Sequence, residues 1–184
     1  MSDFDFGTVI AAVRNDVELD YALQSNAKVI FDLNPDIITI TRKIKKAHDA
    51  SKKLFIHVDL AAGIGKDESG IKFLKALKID GIISTRNNII RAAREHNVLC
   101  VQRFFTVDSK SIDTTASAIK TAKPDMIEIM PGTLFKVIKS LKTIIDTPII
   151  AGGLIDSESE VFDALGSGAS AVSSGNRELW DLER

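Results

Sequence analysis

Little in this sequence is given to covalent cross-links or to strong charge of one sign. It holds a single cysteine, so no intramolecular disulfide can form. That residue, Cys100, lies inside the apolar run Val98-Leu99-Cys100-Val101, where a thiol packs as a small hydrophobe. Such cysteine usage fits a reducing compartment. The 24 Lys and Arg residues against 25 Asp and Glu leave a formal net charge of −1. That balance removes any molecule-wide attraction to nucleic acid or membrane and restricts such a partner to a local patch. No stretch of about 18 consecutive apolar residues occurs. The start Met1-Ser2-Asp3-Phe4-Asp5 has neither the positive charge nor the apolar centre of a signal peptide. The expectation is a cytoplasmic protein with no membrane partner.

What is present is a repeating unit. Eight short apolar runs recur, at Val9–Val13, Val29–Leu33, Leu54–Leu60, Gly81–Ser84, Val98–Arg103, Met126–Met130, Pro148–Ala151 and Ala169–Ser173. They are rich in Ile and Val and mostly lack strict alternation, as expected for strands covered on both faces. Between them lie helical patterns, with one stripe at Ile37, Ile40, Ile44 and Ala47 and another at Leu134, Ile138, Leu141 and Ile145. Asn15 with Glu18, and Ser157 with Glu160, have the spacing of capping boxes. These units predict a compact α/β, TIM-like (β/α)8 barrel in a single domain over residues 1–184, tighter than the usual barrel of about 250 residues. An open doubly wound sheet is the structural alternative.

In a barrel, the active face is built from the C-terminal ends of the strands and the loops after them. The runs place a ring of polar residues there: Arg14, Asp32, His57 and Asp59, Ser84-Thr85-Arg86, Gln102 and Arg103, and Glu128. His57 and Asp59, two apart in one run, are expected to project to the same side. Ionisable groups at such places need partners, because an unpaired buried charge is costly. Arg14, His57, Asp59, Arg86, Gln102, Arg103 and Glu128 therefore read as a polar ligand pocket; the alternative is that Arg14, Asp59, Arg86 and Glu128 form a structural salt-bridge layer across the mouth. The last two runs end in Gly152-Gly153 and in Ser174-Gly175-Asn176, the latter followed by a short helical stretch at Arg177–Trp180. Loops after barrel strands seven and eight, with a short extra helix, form a recurring phosphate site in which glycine lets backbone N–H groups approach the anion. Gly152, Gly153, Ser174, Gly175 and Asn176 are the candidate phosphate cradle; the alternative is that these glycines only make tight turns.

Other apparent motifs fail. Gly63-Ile64-Gly65-Lys66 lacks the upstream glycine of a P-loop, and Asp67 stands where Ser or Thr is required. His57, Asp59 and Glu128 could bind a divalent ion but have no ligand spacing behind them, so no metal is assigned. No strand end offers a Schiff-base lysine or a nucleophile elbow, and neither a catalytic residue nor a cofactor is assigned.

Several segments taken together carry a family likeness: His57-Val58-Asp59-Leu60, Gly81 to Arg86, Gln102-Arg103-Phe104-Phe105, Pro124 to Gly132, Ile149 to Ile155 and Ser174 to Trp180. In this order they resemble the glycerol-3-phosphate-responsive antiterminator family of the GlpP type, over roughly residues 8 to 180. The chain departs from that pattern at Gly175, where the family usually has Ser or Thr. The resemblance implies a barrel regulator, not an enzyme, that binds glycerol 3-phosphate and acts on leader mRNA of glycerol-utilisation genes to prevent premature termination. For RNA, the candidate basic faces are Arg42, Lys43, Lys45 and Lys46, and Lys136, Lys139 and Lys142. Homo-oligomerisation stays open. Two further functions compete: a barrel isomerase, aldolase or lyase acting on a small phosphorylated sugar or polyol, with His57, Asp59 and Glu128 as its acid–base set, and a phosphometabolite sensor acting through a protein partner.

Overall fold

The computed structural model describes residues 4–105 and 111–183. Eight parallel strands close into a barrel in sequence order: β1 (Val9–Val13), β2 (Val29–Asp32), β3 (Lys53–His57), β4 (Gly81–Ser84), β5 (Leu99–Phe105), β6 (Met126–Met130), β7 (Ile149–Gly152) and β8 (Ala171–Ser174). Among the described residues seven α-helices cover the outside: α1 (Asp16–Gln24), α2 (Ile40–Asp49), α3 (Glu68–Ala76), α4 (Asn87–Glu95), α5 (Ser111–Ala122), α6 (Phe135–Lys142) and α7 (Glu158–Gly166). Pairing of β8 with β1, Val9 against Val172 and Ala11 against Ser174, completes the ring. The open doubly wound alternative is thereby set aside.

Strand periodicity explains the layering. One inward-facing residue from each strand, Ile10, Phe31, Phe55, Ile83, Val101, Met126, Ile150 and Ala171, belongs to a buried cluster that fills the lower barrel together with Phe6. Gly81 belongs to this fit, since a Cβ there would lie 2.1 Å from the Phe55 ring. The intervening residues, among them Ala11, Ile30, Leu54, Ile56, Ile82, Cys100, Ile127, Ile149 and Val172, pack outward against the helices. Two residues further toward the mouth the strands carry Ala12, His57, Arg103, Glu128, Gly152 and Ser173, while Leu33 and Thr85 follow the ends of β2 and β4. Along the strands period-two geometry therefore sets a polar layer, staggered from strand to strand, one step nearer the mouth than the apolar cluster.

Local bonding moves some expected boundaries. The run Leu54–Leu60 is a strand only to His57, after which Val58–Leu60 form a 3-10 turn with Ala61 N–H donating to Val58 O at 3.1 Å. Asp59 thus leaves the strand and does not project beside His57 by strand alternation. Ile37 lies outside the helix it was expected to open. The Asp36 carboxylate accepts from the N–H groups of Ile38 at 2.7 Å and Thr39 at 3.1 Å, which delays α2 until Ile40. Leu134 and Ile145 likewise flank α6. Ser157 and Glu160 make a full capping box. At α1, Asn15 caps Glu18 N–H at 2.9 Å, but the Glu18 carboxylate reaches the N–H of Arg14, at 2.7 Å, rather than that of Asn15.

Candidate ligand site at the barrel mouth

The polar layer is organised around Glu128, which is fully buried. Arg103 Nε donates to Glu128 Oε2 at 2.5 Å, and Ser173 Oγ donates to Glu128 Oε1 at 2.6 Å. The ion pair joins side chains that are 8% and 1% exposed, so each charge depends on the other for compensation. Gly152 makes this arrangement fit. A Cβ there would lie 2.3 Å from Glu128 Oε1 and 2.7 Å from Ser173 Oγ.

Above this cluster opens a cavity of about 390 Å³, lined by Arg14, Arg103, Glu128 and Ser173 together with the loops after β7 and β8, from Gly153 to Asp156 and from Ser174 to Asn176. Gly153 has φ +74°, a left-handed conformation that a branched side chain adopts only with strain, and a Cβ there would lie 2.7 Å from Met130 Cε. The Arg14 guanidinium lies over Gly175, 3.1 Å from where a Cβ would stand. Two side chains fasten the loops to each other. Ser174 Oγ donates to Ile155 O at 2.8 Å and accepts from Asn176 N–H at 3.0 Å, while Asn176 Nδ2 donates to Asp156 O at 2.9 Å. The expected extra helix is a single 3-10 turn at Arg177–Leu179, capped by Asn176 Oδ1. Glu178 N–H in it is served by Asn176 Oδ1, and among the described residues the loop glycines and the two arginines are what the cavity lining offers an anion.

The other half of the polar ring is closed on itself. Asp59 accepts from Ser84 Oγ at 2.7 Å and from Thr85 N–H and Thr85 Oγ1, both at 2.8 Å, and its Oδ1 lies 3.7 Å from Arg86 Nε. Burial pushes the Asp59 carboxyl up, but these donors and His57 outweigh it and hold the pKa below the ordinary aspartate value. His57 is 4% exposed with Nδ1 unbonded in the interior. Burial, and then the Arg103 guanidinium, lower its pKa against the opposing pull of Asp59 and Glu128, which keeps the imidazole neutral at pH 7.

Residues 9–180 of this chain match the family model for the glycerol-3-phosphate responsive antiterminator. The chain belongs to that family. Among relatives of this antiterminator-family barrel, protein YgcP of Escherichia coli (strain K12) is 39% identical over 96% of this chain and 93% of its own. The crystal structure of the glycerol uptake operon antiterminator regulatory protein from Listeria monocytogenes is 31% identical and superposes with TM-score 0.90, covering 98% of both chains. A glycerol uptake operon antiterminator-related protein from Thermotoga maritima is 30% identical at TM-score 0.86, covering 96% of this chain and 99% of that one.

Within this antiterminator-family barrel the structure sorts the residues singled out from sequence. Arg14, Arg103, Glu128, Gly153, Ser174, Gly175 and Asn176 line the cavity. Gly152 stands behind it as the seat for Glu128. His57, Asp59 and Arg86 lie on the self-bonded side. Gln102 points the opposite way from its neighbours Val101 and Arg103, toward α4, where its Nε2 donates to Asn87 Oδ1 at 2.6 Å. Asp32 also faces outward, paired with Lys43 of α2 at 2.7 Å. Among the described residues no group of His, Cys, Asp and Glu comes together to hold a metal, the set His57, Asp59 and Glu128 included. No helix among them is long and apolar enough to cross a membrane. Ser173 and Met130 are cavity residues that the sequence reading missed. Met130 is two positions along β6 from Glu128, so strand period would have found it, whereas Gly175 lies past the end of β8 and gives no such signal for Ser173.

Proposed function

We propose that this chain binds glycerol 3-phosphate in the mouth cavity and, with that ligand bound, acts in the cytoplasm on leader mRNA of glycerol-utilisation genes so that transcription passes a terminator. The family match over nearly the whole chain carries this reading. The site supports its ligand half. A phosphate dianion suits Arg14 and Arg103, which can offer charge-assisted donors, set against loops whose glycines admit close backbone approach. The volume suits a small molecule.

The same geometry argues against proton abstraction as the activity. Both Glu128 oxygens are already bonded, Asp59 accepts from three donors, no lysine among the described residues lines the cavity, and His57 lies outside its lining. We therefore read the barrel as a regulator and not as an enzyme.

The test compares glycerol 3-phosphate with glycerol in thermal unfolding. A ligand that binds only the folded state adds about 2.7 kcal/mol at a concentration 100 times its dissociation constant. The expected result is a rise in Tm with the phosphorylated ligand and none with glycerol; equal shifts would remove the phosphate site. For the RNA half, ligand is expected to tighten leader RNA binding by roughly 5- to 150-fold, and RNA to tighten ligand binding by the same factor. RNA affinity that ignores the ligand would instead favour a sensor directed at a protein.

A further inference from the structure

Two helices look alike in sequence as basic runs, yet their surroundings differ. On α2, Arg42 pairs with Asp16 at 2.6 Å, Lys43 with Asp32 at 2.7 Å, Lys45 with Asp49 at 2.6 Å and Lys46 with Asp20 at 2.7 Å. Lys43 is buried, and the other three charges are compensated where they stand. On α6, Lys136, Lys139 and Lys142 are exposed, and the end of the neighbouring α5 adds exposed Lys120 and Lys123. Among the described residues none of these five lysines forms an ion pair. α6 holds no acidic residue at all.

Three-residue spacing puts Lys136, Lys139 and Lys142 on one stripe, away from buried Ile138 and Leu141. The stem of Lys142 lies along Gly168, where a Cβ would come within 3.0 Å of its Cγ. On a chain of net charge −1 this is a local excess of positive charge. Other cations without an ion pair, among them Lys66, Lys75, Lys78 and Arg91, are spread over α3, α4 and the loops on either side of α3, where Glu68 and Glu95 share the surface.

We propose that the lysine face of α5 and α6 is where the phosphate backbone of RNA docks. The inference rests on the antiterminator reading and deepens it by naming the contact surface. Asp113 on α5, Asp146 past α6 and Asp163 on α7 share the surroundings, but among the described residues no ion pair ties any of them to these lysines, and five unpaired lysines suit a polyanion, whose affinity comes from phosphate neutralisation and counterion release. A protein partner is favoured less, because its interface needs a buried apolar or aromatic anchor. The large hydrophobic that α6 and its flanks leave well exposed is Ile144, past the end of the helix. The face also has a route to the cavity: in the loop leading into α6, Gly132 N–H donates at 2.9 Å to the carbonyl of Gly153, a cavity-lining residue.

The experiment titrates labelled 20-mer polyuridylate and a transcript of the leader upstream of this gene with the full chain over a series of salt concentrations. It compares wild type with K136A/K139A/K142A and with R42A/K45A/K46A. Both variants remove three positive charges, so they differ in place and not in net charge. Each phosphate neutralised on a single strand contributes about −0.7 to the slope of log affinity against log salt, so the α6 variant should flatten the slope by about 2. It should also weaken binding at least tenfold near 0.1 M salt, while the α2 variant changes it less than twofold. Equal losses in both variants, or loss only in the α2 variant, would overturn the placement and leave the antiterminator reading standing. Binding of heparin but of neither RNA, lost in the α6 variant, would assign the face to another acidic partner and overturn the proposal. No RNA binding by wild type, with or without glycerol 3-phosphate, would remove the antiterminator reading itself.

Discussion

The mouth of the barrel has two polar halves that differ in how their bonding capacity is used. On the β3–β4 side, Asp59 gathers Ser84, Thr85 and Arg86 around itself and leaves little for a visitor. On the β5–β8 side, one carboxylate, Glu128, is satisfied by Arg103 and Ser173, and the arginine and the glycine loops beside it face a cavity. Both halves carry similar residue types at the ends of strands. The difference teaches that a polar residue at a strand end serves a ligand only where its neighbours have not already saturated it, and that saturation depends on partners distant in sequence.

The largest effect that would break this contrast is expected at Glu128. Glu128→Ala leaves the Arg103 charge buried without its partner, and breaking a buried pair in this way costs about 3–5 kcal/mol. Chemical denaturation of the variant measures it. A loss below about 1 kcal/mol would mean that Arg103 turns to solvent with ease and that the cluster does not organise the mouth.

A paired substitution sharpens the contrast at the next level. Gly153→Val should abolish glycerol 3-phosphate binding in a folded protein, because the left-handed backbone and the nearby Met130 Cε leave no place for a branched side chain. Asp59→Ala should do the reverse: lower stability by about 1–3 kcal/mol through the lost hydrogen bonds while leaving ligand affinity within a few-fold of wild type. Calorimetric titration and thermal melts on both variants read the two effects separately. Ligand affinity lost in Asp59→Ala and kept in Gly153→Val would exchange the roles of the two halves.

Strand order, closure and the inner and outer faces were legible in the sequence because eight apolar runs with helical spacers have few ways to bury themselves. The runs Val9–Val13, Gly81–Ser84 and Met126–Met130 coincide with β1, β4 and β6. Boundaries were lost where a side chain captures backbone from a distance, as Asp36 does ahead of α2. Facing was lost where a run offers two polar residues in succession: Gln102 and Arg103 are adjacent, and only the position of Val101 in the inner cluster decides that Arg103 turns inward and Gln102 outward. The basic runs could not be told apart at all, since Asp16, Asp20 and Asp32, which neutralise α2, belong to other elements. Gly152 and Gly153 read as a single motif, whereas one accommodates a carboxylate inside the barrel and the other shapes the loop.

The smallest expected effect concerns His57, which sits between the two halves and is sensed by charges on both. In the folded chain its pKa lies below the ordinary histidine value of 6.5, from burial first and from Arg103 second. The unfolded chain titrates near 6.5, so just below that pH it binds a proton at this position that the folded chain still refuses. When the unfolded state holds more protons, acidification favours it, and stability falls as pH drops. The contribution is therefore fully present above about pH 6.5 and is lost progressively as pH falls toward the folded-state value. His57→Gln, which carries no titrating group, should show a shallower loss of stability than wild type between pH 7 and about 5.5, a window above the main titration range of the carboxylates. His48 and His96 are common to both proteins and cancel in the difference. Denaturation midpoints measured at several pH values in that window give the two curves. If they run parallel, the imidazole is not held neutral by its surroundings, and the Arg103–Glu128 cluster does not extend its field across the barrel to the Asp59 side.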